Sequence, residues 1–143
     1  MLASIIALNT ANTTLALTAT PGEEARIVYY GAKLPDAAQG ALDSYHAEKA
    51  YPCYGVIGAQ EAAYAAIHPD GNRTVQLWVE DTSIEAWEGG QILCINCKDN
   101  YYPLRVKIYY KTFRDQDMIE TWTESINEGK KPVTLTRFDS GLK

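Results

Sequence analysis

Between Leu104 and Lys111 the chain alternates without a break: Leu104, Val106, Ile108 and Tyr110 against Arg105, Lys107, Tyr109 and Lys111. Successive side chains point to opposite sides only in a strand, so this period of two predicts a strand over 103–113 with one buried face. A polar turn, Arg114-Asp-Gln-Asp117, leads into a second strand over 118–127. Glu128-Gly-Lys-Lys131 leads into a third over 132–138. Tight turns between successive strands imply antiparallel neighbours, so the three read as a meander.

The rest of the chain repeats this texture. Segments 3–8, 12–19, 25–31, 62–68, 74–80 and 91–97 are rich in Val, Ile, Thr, Tyr and Trp, which fit a pleated surface. Turn signals separate them, among them Pro21-Gly22, Pro69-Asp-Gly-Asn72 and Gly89-Gly90. Many short strands with such punctuation predict an all-β fold, an antiparallel β-sandwich. Residues 35–50 are the exception and read as a short helix or a long loop. At 143 residues the chain reads as one domain, 1–143, or part of one, long enough to bury a real core.

Charge narrows the partners. Thirteen basic and 18 acidic residues give a net charge of −5. Nucleic-acid binders show a basic face, so that partner is not expected. Residues 1–97 hold 4 basic and 11 acidic side chains, whereas 98–143 hold 9 and 7. The basic excess falls on alternate strand positions and reads as a solvated sheet face. No apolar stretch approaches the ~20 residues of a membrane-spanning helix, and no membrane partner is expected. The start, Met1-Leu-Ala-Ser-Ile-Ile-Ala-Leu8, lacks the positive region of a signal peptide and reads as a first strand.

The chemistry-bearing residues are sparse. Cys94-Ile-Asn-Cys97 has the spacing of a redox or zinc half-site, but it lies inside a strand-like run. An offset of three on a strand sends the two sulfurs to opposite faces. No second CxxC or His pair completes a metal site, so Cys53, Cys94 and Cys97 read as structural thiols and no metal or cofactor is expected. A glycosidase needs two facing carboxylates, about 5–5.5 Å or ~6.5–9.5 Å apart. Glu120 and Glu124 share a strand face but lie roughly 13 Å apart at ~3.3 Å per residue. Asp115 and Asp117 sit in a turn, where Asp bonds its own backbone. His46 falls in the irregular segment and His68 reads as a surface residue at a strand end. Asn12-Thr-Thr14 and Asn72-Arg-Thr74 match the glycosylation pattern, which has meaning only in a eukaryotic secretory setting. No catalytic residue is assigned. Trp87, beside Glu85, Glu88 and Gly89-Gly90, is the best candidate for an exposed aromatic. Tyr51-Pro-Cys-Tyr-Gly55 is the best candidate for a structured loop. Tyr51, Tyr54 and Trp87 are therefore the candidate sugar or interface contacts.

An ordered set of motifs resembles the N-terminal domain of family 36 glycoside hydrolases, the bacterial α-galactosidases. Tyr29-Tyr-Gly-Ala-Lys-Leu34 resembles its early strand and turn, and Tyr51-Pro-Cys-Tyr-Gly55 its Tyr-Pro-x-Tyr-Gly segment. His68-Pro-Asp-Gly-Asn72 resembles its Asp-Gly hairpin, and Tyr109 to Asn127 its strand, Asp-x-Asp turn and strand. Glu128 to Leu135 resembles its Gly-x-x-Pro-Val-Thr-Leu element. Together these cover about residues 26–140. The resemblance implies part of a β-supersandwich of galactose-mutarotase type. It also implies a catalytic (β/α)8 barrel elsewhere in the parent chain, a galactoside substrate for that parent, and homo-oligomers. The end at Ser140-Gly-Leu-Lys143 falls where that domain is incomplete, so a fragment of a longer enzyme is expected. In some members a loop after Tyr-Pro-x-Tyr-Gly carries an acidic residue, in a Gly-Asp-Phe-Arg pattern, to a neighbour's active site. Val56 to Glu61 lacks the Asp and Arg, leaving only Gln60 or Glu61, and Thr121 replaces the family's strand Arg.

The function expected is thus a non-catalytic sandwich supporting the barrel and subunit contacts of an α-galactosidase. The rival is a free-standing carbohydrate-binding module, which needs an exposed coplanar aromatic row. A mutarotase-like enzyme needs a His and Glu pair on a concave sheet, and two histidines in turn-like contexts do not suit it.

Overall fold

The computed structural model describes residues 5–35, 48–49, 64–73 and 75–138. Ten strands run in the order β1 (Ile5–Asn9), β2 (Thr13–Thr18), β3 (Arg26–Ala32), β4 (Glu48–Lys49), β5 (Tyr64–Ile67), β6 (Leu77–Trp87), β7 (Gly90–Asp99), β8 (Leu104–Phe113), β9 (Met118–Asn127) and β10 (Thr134–Phe138). Two four-stranded antiparallel sheets, β1-β2-β3-β4 and β6-β7-β8-β9, are accompanied by a two-stranded antiparallel sheet of β5 and β10. The fold is the all-β antiparallel sandwich expected from the sequence.

The alternation at 104–111 folds as read. Leu104, Val106, Ile108 and Tyr110 are buried, and they join Leu93, Ile95 and Cys97 of β7 and Leu77 and Val79 of β6. Leu8, Leu15 and Leu17 close the same cluster from the first sheet. One apolar core thus lies between the two sheets. Burial of this kind stabilises by about 25 cal/mol per Å² of apolar surface removed from water.

The rims are tied by polar contacts. Asp117, in the turn between β8 and β9, accepts hydrogen bonds from the Thr10 hydroxyl and, at 3.1 Å, from the Asn12 amide. Its backbone is left-handed, with φ at 49°. Those bonds hold its carboxyl below the usual range, the Thr10 bond most of all. The Gly22 amide donates to the Val79 carbonyl and the Val79 amide to Glu23, both at 2.8 Å.

Three readings of the sequence need correction. Of the three strands expected as a meander, only the first two are neighbours in one sheet. β8 and β9 pair in register from Leu104↔Asn127 to Phe113↔Met118, but β10 leaves the sheet and pairs with β5. The strand read over 74–80 runs instead from Leu77 to Trp87. Its second half is polar because it is an exposed sheet edge, which needs no apolar alternation. His68 is not on the surface: it is 2% exposed and stacks on Tyr102 with ring centroids 3.5 Å apart.

Candidate functional site

The side of sheet β6-β9 that faces away from the core is set by the same period of two. Its middle row runs Ser83, Cys94, Tyr109 and Trp122 across the four strands. Tyr109 and Trp122 lie face to face, with centroids 4.9 Å apart and planes 7° from parallel. Near one end of the face Trp87 meets Phe113 edge-on at 5.1 Å. The Lys111 ammonium lies 4.4 Å from the Trp87 ring centroid and 5.1 Å from that of Phe113. Such a cation over an aromatic face is worth about 0.5–1 kcal/mol at an exposed site.

The basic residues of β8 are therefore not simply solvated. Lys107 stands opposite Glu124 and Lys111 opposite Glu120. Arg105 bonds the carboxylates of Glu80 at 2.8 Å and Glu128 at 3.1 Å, and the Asn96 side chain at 2.8 Å. Its pKa is raised, first by the Glu128 bond and then by Glu80. Opposite charges facing each other across strands each contribute about 0.2–1 kcal/mol. The face is an aromatic and charge-balanced surface, half buried in its middle.

The candidate residues fall unequally. Trp87 is half buried rather than exposed, and its indole N–H donates to the Thr112 carbonyl at 3.1 Å. Its ring lies over Gly89, where an added Cβ would come within 2.3 Å of it. Tyr51, Tyr54, Cys53, His46 and the Val56–Glu61 loop lie outside the described residues. Cys94 and Cys97 take opposite faces as their offset requires. Cys97 is buried, and burial pushes its thiol up to about 12. Cys94 is half buried beside Tyr109, and its thiol is also raised by burial.

A second feature was not legible in the sequence. An open cleft of about 390 Å³ lies between Tyr102 and the turn after β9, lined in part by Asp70, Asn127, Lys130 and Val133. Asp70 is the one carboxylate among these lining residues. It accepts the Tyr102 hydroxyl at 2.8 Å and the Asn72 amide at 2.9 Å, and these bonds, Asn72 first, lower its pKa. The signal missed was the spacing of His68, Asp70 and Tyr102, whose rings and carboxylate meet only because strand and turn fold together. A glycosidase pair needs two facing carboxylates, and among the described residues lining this cleft Asp70 stands alone.

Comparison with known proteins follows the fold. No curated protein matches the chain. Solved structures do. The α-galactosidase from Lactobacillus brevis matches with a TM-score of 0.80 at 16% identity, over 96% of this chain and 23% of that one. A variant of the α-galactosidase AgaA from Geobacillus stearothermophilus, in complex with 1-deoxygalactonojirimycin, matches with a TM-score of 0.81 at 16% identity, over 96% and 24%. The galactosidase domain of the α-galactosidase-sucrose kinase AgaSK matches with a TM-score of 0.79 at 20% identity, over 96% and 24%. At these identities the likeness shows the fold, and the chain spans about a quarter of the length of these enzymes. The family profile of the glycosyl hydrolase family 36 N-terminal domain matches residues 23–143, and the chain belongs to that family.

Proposed function

We propose that this chain serves an α-galactosidase as its N-terminal β-sandwich. The parent hydrolyses terminal α-linked galactose on a catalytic barrel, and the sandwich buttresses that barrel and carries the subunit contacts of a homo-oligomer. Residues 1–143 act in it as one sandwich unit, itself inactive. The observation that carries the reading is the arrangement of charge on the outer face. Glu120 and Glu124, the carboxylates of β9, each stand opposite a lysine of β8. Asp117 is engaged with Thr10 and Asn12 in holding the rim. These groups are placed to hold a surface together, and an aromatic, charge-balanced face suits contact with protein. Trp87 is taken as an interface contact at the end of this face, since its N–H and ring are already engaged within the chain. Tyr51 and Tyr54 are retained as sugar or interface contacts.

Nitrophenyl α-galactoside tests the reading. The purified 143-residue chain should release no nitrophenol, and the parent protein should. Turnover by the isolated chain that disappears in Asp117→Asn or Glu124→Gln would overturn it. So would a parent protein with no α-galactosidase activity.

A further inference from the structure

The long strand β6 divides at a bulge. Val79 pairs with Cys97 and Asp81 with Asn96, leaving Glu80 as the extra residue. Up to the bulge the edge is already occupied. The amide and carbonyl of Val79 point away from β7 and bond Glu23 and Gly22 of the first sheet. In an antiparallel pair, outward and inward backbone groups alternate. Counting from Val79 through the bulge, Asp81, Ser83 and Glu85 bond β7, whereas Thr82, Ile84 and Ala86 turn their N–H and C=O outward.

Those three residues also share the core side of the sheet, where they stand opposite Ile95, Leu93 and Gln91. Leu93 and Ile95 are fully buried, yet Ile84 is 49% exposed and Thr82 and Ala86 are exposed. Outward hydrogen-bonding groups that find no partner among the described residues thus coincide with an exposed apolar step beside the core. The edge is long and carries no proline to block pairing.

Charge selects what can add there. Asp81 and Glu85 stand on the outer side of β6, with Glu80 and Glu88 at either end. A second copy adding β6 to β6 places these carboxylates against one another. A second copy adding β9 places Glu120 and Glu124 against them. Like charges facing across strands are destabilising. A strand with apolar residues toward Ile84 and basic residues toward Asp81 and Glu85 meets both requirements.

We propose that the 81–86 edge of β6 is an acceptor for one further β-strand of alternating apolar and basic residues. That strand is supplied by the part of a family 36 chain that these 143 residues do not span. The occupant's origin rests on the reading under Proposed function. The relatives' chains are about four times as long as the stretch matched, so they hold ample sequence for it. Main-chain bonds supply the affinity in such strand addition, and the alternate side chains supply the choice of partner.

Amide exchange tests it on the 143-residue chain. The probes are two ten-residue peptides in large excess, one alternating Val with Lys and one alternating Val with Glu. The Val-Lys peptide should slow exchange at Thr82, Ile84 and Ala86 by roughly tenfold or more, leaving Asp81, Ser83 and Glu85 little changed. The Val-Glu peptide should not. In Asp81→Lys/Glu85→Lys the preference should reverse, which separates charge selection from nonspecific sticking. Equal protection by both peptides, protection at β9 instead, or none at all overturns the proposal. A galactosidase assay of the parent reads the other question. Protection without parent activity leaves the acceptor edge standing and removes the α-galactosidase reading. Activity without protection removes the acceptor edge alone.

Discussion

The two faces of β7 and β8 are built from neighbouring residues and behave as different materials. On the inner face Leu93, Ile95, Val106 and Ile108 meet Leu8, Leu15 and Leu17 and exclude water almost completely. On the outer face Cys94, Lys107, Tyr109 and Lys111 sit one residue away and form a half-buried layer of rings and paired charges. The inner face makes the fold cohere. The outer face is left with area to share, and in the proposed function it is the surface that meets the rest of the enzyme. A single step along a strand thus changes a residue's work from cohesion to contact.

The largest expected effect breaks the inner face. Ile108→Ala deletes a fully buried side chain and should cost about 2–5 kcal/mol of unfolding free energy. Ile126→Ala, on the outer face of β9, should cost about 1 kcal/mol or less. Urea melts of the two variants read the contrast directly, and equal losses would abolish it.

A second test concerns the turn that joins β6 to β7. An added Cβ at Gly90 would come within 2.2 Å of the Thr112 carbonyl, a backbone atom that cannot swing aside. Gly90→Ala should therefore cost about 1–3 kcal/mol. Gly22, with φ at 86° and open space around its Cβ position, should resist substitution through backbone conformation alone. Thermal melts of Gly90→Ala paired with Thr112→Ala should show no rescue, because the obstructing atom belongs to the main chain.

How much of this was legible in the sequence depended on whether a residue's surroundings were local. The strand over 118–127 has the bounds expected, and β7 and β8 differ from expectation by a residue or two, because alternation fixes them from within. The second half of β6 was not legible. Glu80-Asp-Thr-Ser-Ile-Glu85 lacks a buried face, so the pattern that betrays a strand is absent although every residue from Asp81 to Trp87 pairs with β7. β10 was found as a strand but joined to the wrong neighbour, since turn length says nothing of whether a chain leaves its sheet. His68 looked solvated because Pro69-Asp-Gly follows it. Its ring stacks on Tyr102, more than thirty residues away, which no local pattern announces. On the candidate site, the alternation of 104–111 gave the side on which Tyr109 lies. Its stacking on Trp122 depends on register between strands, and Trp87's burial on the long hairpin.

At neutral pH a subtler contrast sharpens the comparison through its two thiols. In a Cys53→Ser background, Cys94 should react with a disulfide reagent at neutral pH well before Cys97, whose thiol is pushed up to about 12. The same shift makes a pH prediction. From the ordinary thiol value of 9 upward, the unfolded chain loses a proton that folded Cys97 keeps. Stability therefore falls as pH climbs from 9 toward about 12. Burial raises Tyr110 in the same direction and adds to the loss above its ordinary value of 10. Urea midpoints that hold constant across that window would remove the claim that this face is sealed.

The most direct measurement asks whether the outer face holds the enzyme together while the inner face holds the domain together. The double variant Tyr109→Ser/Trp122→Ser removes a stacked pair whose mutual attraction is worth about 0.5–1.5 kcal/mol beyond its buried area. Calorimetry of the 143-residue chain should then show a modestly lowered but single transition. Calorimetry of the parent protein should show its cooperative unfolding split, with the N-terminal sandwich melting apart from the remainder. A parent transition that stays single and unshifted, while the isolated chain is weakened, would mean that this face makes no contact with the rest of the enzyme.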